Sequence, residues 1–220
     1  MMSLDTQSIA ISEARNRILA EIGSQVCLVA ASKRQPEARI DAALLAGQRV
    51  FGENRVQEAA ARWTDRKASR PDLQLRLIGP LQTNKAEAAV QLFDVIETLD
   101  REKLLRALTK AVERTDCAPP DLLIQVNTGD EPQKGGVSIA QLEGLLSQAR
   151  STYPGRVVGL MCIPPSDEPA APHFALLKCL AAEHDLAVIS MGMSNDYALA
   201  ARLGATHVRV GTALFGARDS

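Results

Sequence analysis

A lysine follows the first apolar run of the chain at the point where the run ends. Small residues connect the run 26–30 to Lys33. An amine held there can form an imine with an aldehyde, because desolvation disfavours the ammonium form and only the neutral amine is a nucleophile. A solvated lysine at the end of a strand is the alternative, and most lysines are exposed. Position alone therefore makes Lys33 a candidate and leaves both interpretations open.

Two glycine-containing segments near the end of the sequence have the composition of a phosphate site. Gly192 and Ser194 follow one apolar run, and Gly211 and Thr212 follow the next. Glycine lets the backbone approach an anion, a hydroxyl can donate to it, and a helix N-terminus favours negative charge. We expect Ser194 to be the N-cap of the helix that follows it. A capping box and a turn would need the same residue types, but two such segments together favour the phosphate site.

Other segments give weaker signals. Residues 52–55, which include Asn54, and residues 79–85 also follow apolar runs, and their amides could line a polar cofactor or belong to ordinary capped turns. The three histidines have no serine or cysteine partner at a shared site, so no catalytic triad is predicted. The glycines match neither the Walker A pattern nor the dinucleotide pattern.

These candidates need a scaffold that brings strand ends together. Short β-rich runs alternate with longer helical patterns, and most of the runs are continuously apolar, as in parallel strands covered on both faces. Eight strands are predicted, at 26–30, 49–51, 75–79, 95–99, 122–127, 157–163, 187–190 and 207–210.

An amphipathic helix is predicted before the first strand, over residues 4–22. Its apolar stripe has spacings of three and four and consists of Ile11, Ala14, Ile18 and Ile22. The whole pattern predicts an α/β fold, a single (β/α)8 TIM-type barrel with an extra N-terminal helix, in which residues 1–220 form one domain. A doubly wound open sheet is the alternative. In both folds, ligands bind at the carboxyl ends of the strands.

Composition argues against several classes of function. The 25 basic and 26 acidic residues are interspersed, and only 3% of residues are aromatic, so we expect no nucleic-acid binding. The four cysteines form no C-x-x-C pair and have no histidine at ligand spacing, which predicts a reduced protein without a metal. The N-terminal residues do not resemble a signal peptide and no apolar run reaches the length of a membrane span. We therefore expect a cytoplasmic protein without membrane contact.

Six segments, in order along nearly the whole chain, carry a resemblance to a known family. They are 31–33, 51–54, 78–85, 159–161, 192–194 and 209–212. In this order they resemble the pyridoxal phosphate homeostasis protein family, which is alanine racemase N-terminal-domain-like and is also called the proline synthase co-transcribed family. The departures, at Ala31 and in the loop 129–134, touch none of the residues that the resemblance makes functional.

The resemblance implies a barrel that binds pyridoxal 5′-phosphate (PLP) as a Schiff base on Lys33. It assigns the other contacts as follows: Asn54 beside the ring, Arg209 facing the pyridine nitrogen, and Ser194, Gly211 and Thr212 at the phosphate.

A resemblance in fold does not settle activity. Proton exchange at Cα needs acid/base groups on both faces of the cofactor, and alanine racemase-like enzymes take one from a separate C-terminal domain, whereas this sequence ends at Ser220. We therefore expect a monomeric carrier and buffer of PLP without catalytic residues, which supplies apo PLP-dependent enzymes. The alternatives are a PLP-dependent enzyme such as a weak amino-acid racemase, and a Schiff-base aldolase acting on a phosphorylated sugar.

Overall fold

The eight predicted strands form one closed parallel barrel in the computed structural model, which describes residues 4–217. The first and last three residues of the predicted domain 1–220 lie outside the described residues. The strands are β1 (Cys27–Ala31), β2 (Val50–Glu53), β3 (Gln74–Leu77), β4 (Val95–Leu99), β5 (Asp121–Gln125), β6 (Val157–Met161), β7 (Val188–Ser190) and β8 (His207–Val210). Because β1 pairs with both β2 and β8, the barrel is confirmed and the open sheet is wrong.

Nine helices are present among the described residues. The predicted N-terminal helix is α1 (Leu4–Ile22), and its apolar stripe is buried. The others each follow a strand: α2 (Glu37–Leu45), α3 (Val56–Ser69), α4 (Ala86–Leu92), α5 (Glu102–Thr115), α6 (Ile139–Thr152), α7 (Ala170–Glu183), α8 (Tyr197–Arg202) and α9 (Thr212–Phe215). One turn of 3-10 helix, Thr83–Lys85, precedes α4.

Three strands end two residues before their predicted carboxyl ends. The residues just beyond β3, β5 and β6 are Ile78, Val126 and Cys162, and each is buried although it lies outside the strand. Their backbone N–H groups still donate to the carbonyl oxygen of the last residue of a neighbouring strand. An apolar run reports burial and not the extent of the strand, which explains the difference.

The interior of the barrel contains a buried charged cluster. Nε of Arg76 donates to Oε1 of Glu97 at 2.5 Å, and both side chains are almost completely buried. His207 lies at the start of β8 near this pair. Burial and, to a smaller extent, the positive charges of Arg76 and Arg209 lower the pKa of His207 to about 4, against the opposing effect of Glu97.

Membrane-spanning helices and metal-ligand clusters are both absent from residues 4–217, the part of the chain that the structure describes. No helix there is long and apolar enough to cross a membrane, and no group of three or more histidine, cysteine, aspartate or glutamate residues could hold a metal ion. All four cysteines are free thiols.

We expect His207 to make stability depend on pH. Its pKa in the folded state lies below its unfolded value of about 6.5, so on acidification the unfolded chain takes up the proton first. The free energy of unfolding should therefore fall between about pH 6.5 and about pH 4, by at most about 1.4 kcal/mol per pH unit. His207→Gln should flatten this dependence in urea titrations over the same window. An equally steep dependence in the variant would assign the effect to other groups.

Candidate cofactor site

Three neighbouring strands bring three of the predicted site residues to one rim of the barrel. Lys33 follows β1 by two residues, Asn54 directly follows β2, and Arg209 lies in β8. Since β1 pairs with β2 on one side and with β8 on the other, these residues come from adjacent positions of the closed sheet. The structure therefore places them at the carboxyl ends of the strands, as the sequence predicts.

A serine hydroxyl joins the two loops that follow β7 and β8. Oγ of Ser194 accepts hydrogen bonds from the backbone N–H groups of Gly211 and Ala213, each at 3.2 Å. The prediction that Ser194 is the N-cap of the following helix is wrong, because Asp196 occupies that position before α8. The hydroxyl instead satisfies amides at the beginning of α9. Ser194, Gly211 and Thr212 therefore lie together although they come from different loops.

Gly211 also connects these loops to the strand that leads to Lys33. A Cβ atom at Gly211 would lie 3.4 Å from the carbonyl oxygen of Ala31, the last residue of β1. The side chain of Thr212 is exposed at the same rim. The hydroxyl and amide groups of this region are thus next to the end of β1.

The other predicted glycine has a structural role. Gly192 has a φ of 89°, a conformation that strongly favours glycine, and a Cβ atom there would lie 2.4 Å from Cβ of Ala200 in α8. Its carbonyl oxygen accepts a hydrogen bond from the backbone N–H of Arg209. The packing of this loop against α8 and β8 therefore explains why a glycine is needed at position 192.

Arg209 is buried and its guanidinium is held in one orientation. Nη1 donates to Oγ of Ser190 at 2.7 Å, and Nη2 donates to the carbonyl oxygen of Cys162 at 2.8 Å. The Ser190 hydroxyl in turn donates to Oε2 of Glu97 at 2.6 Å, which lies 3.9 Å from Nη1 of Arg209. The single carboxylate of Glu97 thus contacts two buried arginines, Arg76 and Arg209.

The ionised form of Glu97 is stabilised by these partners. Burial alone would raise the pKa of this carboxyl group, but the charges of Arg76 and Arg209 and the hydrogen bond from Ser190 outweigh burial, and the pKa lies below its ordinary value. An ionised carboxylate therefore lies between Arg76 and Arg209 in the barrel interior.

Lys33 lies in a tight turn and is exposed. Ser32 and Gln35 on either side are buried, whereas Lys33 itself is exposed, as most lysines are. Desolvation of its amine stays a prediction.

Glu53, Arg62 and Trp63 lie beneath this turn and were not among the predicted cofactor contacts. Glu53 is fully buried at the end of β2, and its Oε1 accepts from Oγ of Ser32 at 2.8 Å, from Nη1 of Arg62 at 2.8 Å and from Nε1 of Trp63 at 3.0 Å. An acidic residue that ends an apolar strand, followed by a helix carrying arginine, is the signal that could have indicated this cluster.

The amide of Asn54 supports a polar ligand at the rim. Its Oδ1 atom is buried and has no hydrogen-bond partner among the described residues. A buried polar atom without a partner is costly, so a ligand group or a water that bonds to it would be stabilising. The rim thus combines an amine, an amide, a guanidinium and two hydroxyls, which suits a small anion that carries an aldehyde.

The two tyrosine hydroxyls are engaged away from these residues. The hydroxyl of Tyr153 donates to the carbonyl oxygen of Pro120, and that of Tyr197 donates to Glu21 of α1, each at 2.7 Å. His173 lies between Thr128 and Glu168, with a partner on each ring nitrogen. These potential acid/base groups are therefore occupied by contacts within the protein.

Comparisons with known proteins agree with this arrangement. Residues 11–219 match the family described as alanine racemase, N-terminal domain. The pyridoxal phosphate homeostasis protein of Pseudomonas aeruginosa PAO1 is 39% identical over 230 residues, covering 99% of this chain and 97% of that protein. PipY of Synechococcus elongatus PCC7942, in a structure with PLP bound, is 38% identical with a TM-score of 0.85, covering 94% of this chain and 100% of that chain.

A more distant comparison shows the fold alone. Alanine racemase from Corynebacterium glutamicum is 20% identical with a TM-score of 0.69, and the match covers 96% of this chain and 61% of that enzyme. The six ordered segments and the sequence identities agree on a narrower group. The chain belongs to the pyridoxal phosphate homeostasis protein family.

Proposed function

We propose that this protein binds PLP as a Schiff base on Lys33 and acts in PLP homeostasis as a carrier and buffer, without robust catalysis. The observation that carries the proposal is the hydroxyl of Ser194, which joins the loops after β7 and β8 beside the end of the strand that leads to Lys33. A phosphate site and an amine thereby share one rim. The name of the Pseudomonas relative and the PLP-bound structure of PipY support the same cofactor.

Each predicted residue has a defined part in binding. The Ser194 oxygen already accepts two backbone N–H groups, so its own O–H remains to donate to a phosphate, and the exposed hydroxyl of Thr212 beside Gly211 adds a second donor. Asn54 lines the surroundings of the ring. When bound, PLP supplies a reactive aldehyde that an amine can hold reversibly.

Arg209 is the residue that argues against robust catalysis. We infer that its guanidinium faces the pyridine nitrogen, and an arginine cannot readily release a proton to it because a guanidinium stays charged in proteins. The carboxylate of Glu97 lies 3.9 Å from Nη1 of Arg209. The ring would then remain a poor electron sink. A weak amino-acid racemase is the second candidate, which the match to the alanine racemase N-terminal domain favours.

We further propose that residues 1–220 act as one monomeric cofactor-binding domain in the cytoplasm and supply PLP to apo-enzymes. A Schiff-base aldolase would also use a lysine and a phosphate site, and colour separates the two, because a pyridoxal imine absorbs visible light and a sugar imine does not.

Borohydride reduction should attach the pyridoxyl group to Lys33. We expect the visible absorbance of the PLP-loaded protein to disappear on reduction, and peptide mass mapping to find the label on this lysine. Lys85 and Lys134 are internal comparisons, and Lys134 is already paired with Glu131 at 2.6 Å. Labelling mainly at either of them, or an unchanged yield in Lys33→Ala, would refute the assignment.

Thr212→Val should weaken PLP retention more than it weakens folding. The change removes a hydroxyl from an exposed position and keeps the β-branched shape, so the stability of the fold should hardly change. Losing one hydrogen bond to a charged group costs about 1.5–3 kcal/mol of binding, which equilibrium dialysis can measure. Thr64→Val, an exposed threonine on α3, is the matched control. Equal affinity in both variants would exclude a phosphate role for Thr212.

PLP-loaded protein should exchange the Cα proton of L-alanine slowly. The fixed charge of Arg209 and the engaged hydroxyls of Tyr153 and Tyr197 leave little acid/base chemistry at the rim. Incubation in deuterated water, followed by mass spectrometry and chiral chromatography, should show little deuterium incorporation and little D-alanine. Rapid turnover that Lys33→Ala abolishes would make the racemase the better assignment.

A further inference from the structure

The turn that carries Lys33 has an unusual backbone. The N–H of Gln35 donates to the carbonyl oxygen of Ser32 at 3.0 Å, which closes a four-residue turn over residues 32–35. Its third residue, Arg34, has a φ of 58°, where turns favour glycine because a Cβ atom is disfavoured there. Lys33 and Arg34 are exposed, whereas Ser32 and Gln35 at the two ends of the turn are buried. The protein interior therefore contacts the turn at its ends.

Arg62 of α3 holds both ends. Its Nη1 donates to the carbonyl oxygen of Ser32, and its Nη2 donates to the carbonyl oxygen of Gln35, each at 3.0 Å. A guanidinium presents its donors in a rigid planar fork, so one arginine can bridge two carbonyl groups at a fixed separation. The Arg62 side chain is 13% exposed, and water therefore has limited access to these bonds.

Glu53 orients Arg62 against the barrel wall. Its carboxylate accepts a hydrogen bond from the same Nη1 atom at 2.8 Å and another from the hydroxyl of Ser32. One carboxylate therefore contacts both the arginine and the turn. Because Glu53 is the last residue of β2, these contacts connect the turn after β1 to the neighbouring strand.

We propose that Arg62, oriented by Glu53, is a positioning residue that fixes the amine of Lys33 relative to the phosphate site and thereby sets how strongly PLP is held as a Schiff base. The inference rests on the proposed function. Holding two reacting groups at a fixed distance favours bond formation between them. A small displacement of one group makes bond formation less favourable. The hydrogen bonds of Arg62 go to Ser32, Gln35, Glu37 and Glu53. The phosphate residues lie on other loops, so imine formation and phosphate binding can be separated by experiment.

The first test compares Arg62→Lys with Arg66→Lys in the full-length protein. Lysine keeps a positive charge beside Glu53 but lacks the fork that bridges the two carbonyl groups. Arg66 lies one helical turn further along α3 and pairs with Glu37 and Asp41, which are largely exposed. Arg66→Lys is therefore the same substitution at a side chain that does not contact the turn.

Two quantities are measured in each variant. The first is the imine absorbance during PLP titration, and the second is the affinity for pyridoxine 5′-phosphate, which has the ring and phosphate but no aldehyde.

We expect Arg62→Lys to require roughly tenfold to hundredfold more PLP for the same imine absorbance. Its affinity for pyridoxine 5′-phosphate should stay near that of wild type, and Arg66→Lys should match wild type in both measurements. Unchanged imine formation in Arg62→Lys would overturn the inference, and so would an equal loss of affinity for both ligands. No imine band in the wild type, with pyridoxine 5′-phosphate still bound, would overturn the proposed function itself.

A second pair of variants tests the turn without altering a buried residue. Arg34→Val and Arg34→Gly remove the same exposed side chain, but only valine opposes the positive φ that the turn requires. We expect imine formation to be weaker in Arg34→Val than in Arg34→Gly, with equal affinity of the two for pyridoxine 5′-phosphate. Equal imine formation in these two variants would contradict the positioning role even if Arg62→Lys fails to fold.

Discussion

The pairing of β1 with β8 is the interaction on which the site depends. Four residue pairs join these strands, from Cys27 and His207 to Ala30 and Val210. In an open sheet of the same strand order, Lys33 and Arg209 would lie on opposite edges, with six strands between those that carry them. In a closed parallel barrel all carboxyl ends meet at one rim. Closure therefore brings an amine, a guanidinium and two hydroxyls together from distant parts of the sequence.

Closing the barrel also buries charged side chains, which contact one another in its interior. Arg76 and Arg209 both point into the interior, and an unpaired buried charge costs several kcal/mol. Glu97 accepts from Arg76 through one oxygen and from the Ser190 hydroxyl through the other. The same carboxylate therefore stabilises the barrel interior and, through Ser190, sets the direction of Arg209. Stability and the orientation of a site residue are consequently linked at Glu97.

The sequence predicts the barrel and the rim position of the site because both follow from local patterns. Apolar runs alternate with helical patterns, and Lys33, Asn54 and Gly211 each follow such a run. The contacts between these segments depend on tertiary structure, which local spacing does not contain. Capping rules therefore assign Ser194 to the nearest helix, whereas its hydroxyl bonds the start of α9.

The cluster beneath Lys33 shows the same limit. In the sequence, Arg62 is a basic residue on an amphipathic helix, where a solvated side chain is the ordinary interpretation. Only the packing of α3 against the end of β2 brings it to Glu53 and to the turn. The sequence also leaves open whether Lys33 is exposed, because a buried strand does not indicate the direction in which the following turn points.

The exposure of Lys33 favours a carrier over an enzyme. Release of an aldehyde from an imine requires water to add across the C=N bond, returning the amine and the aldehyde. An enzyme that depends on a reactive bound group benefits from excluding water, whereas a carrier needs water at this bond. Here Lys33 is an exposed residue, while Arg62 and Glu53, which contact its turn, are largely or fully buried. Under the proposed function, an exposed lysine on a turn held by buried residues would let the protein keep the cofactor in a defined place and still release it by hydrolysis.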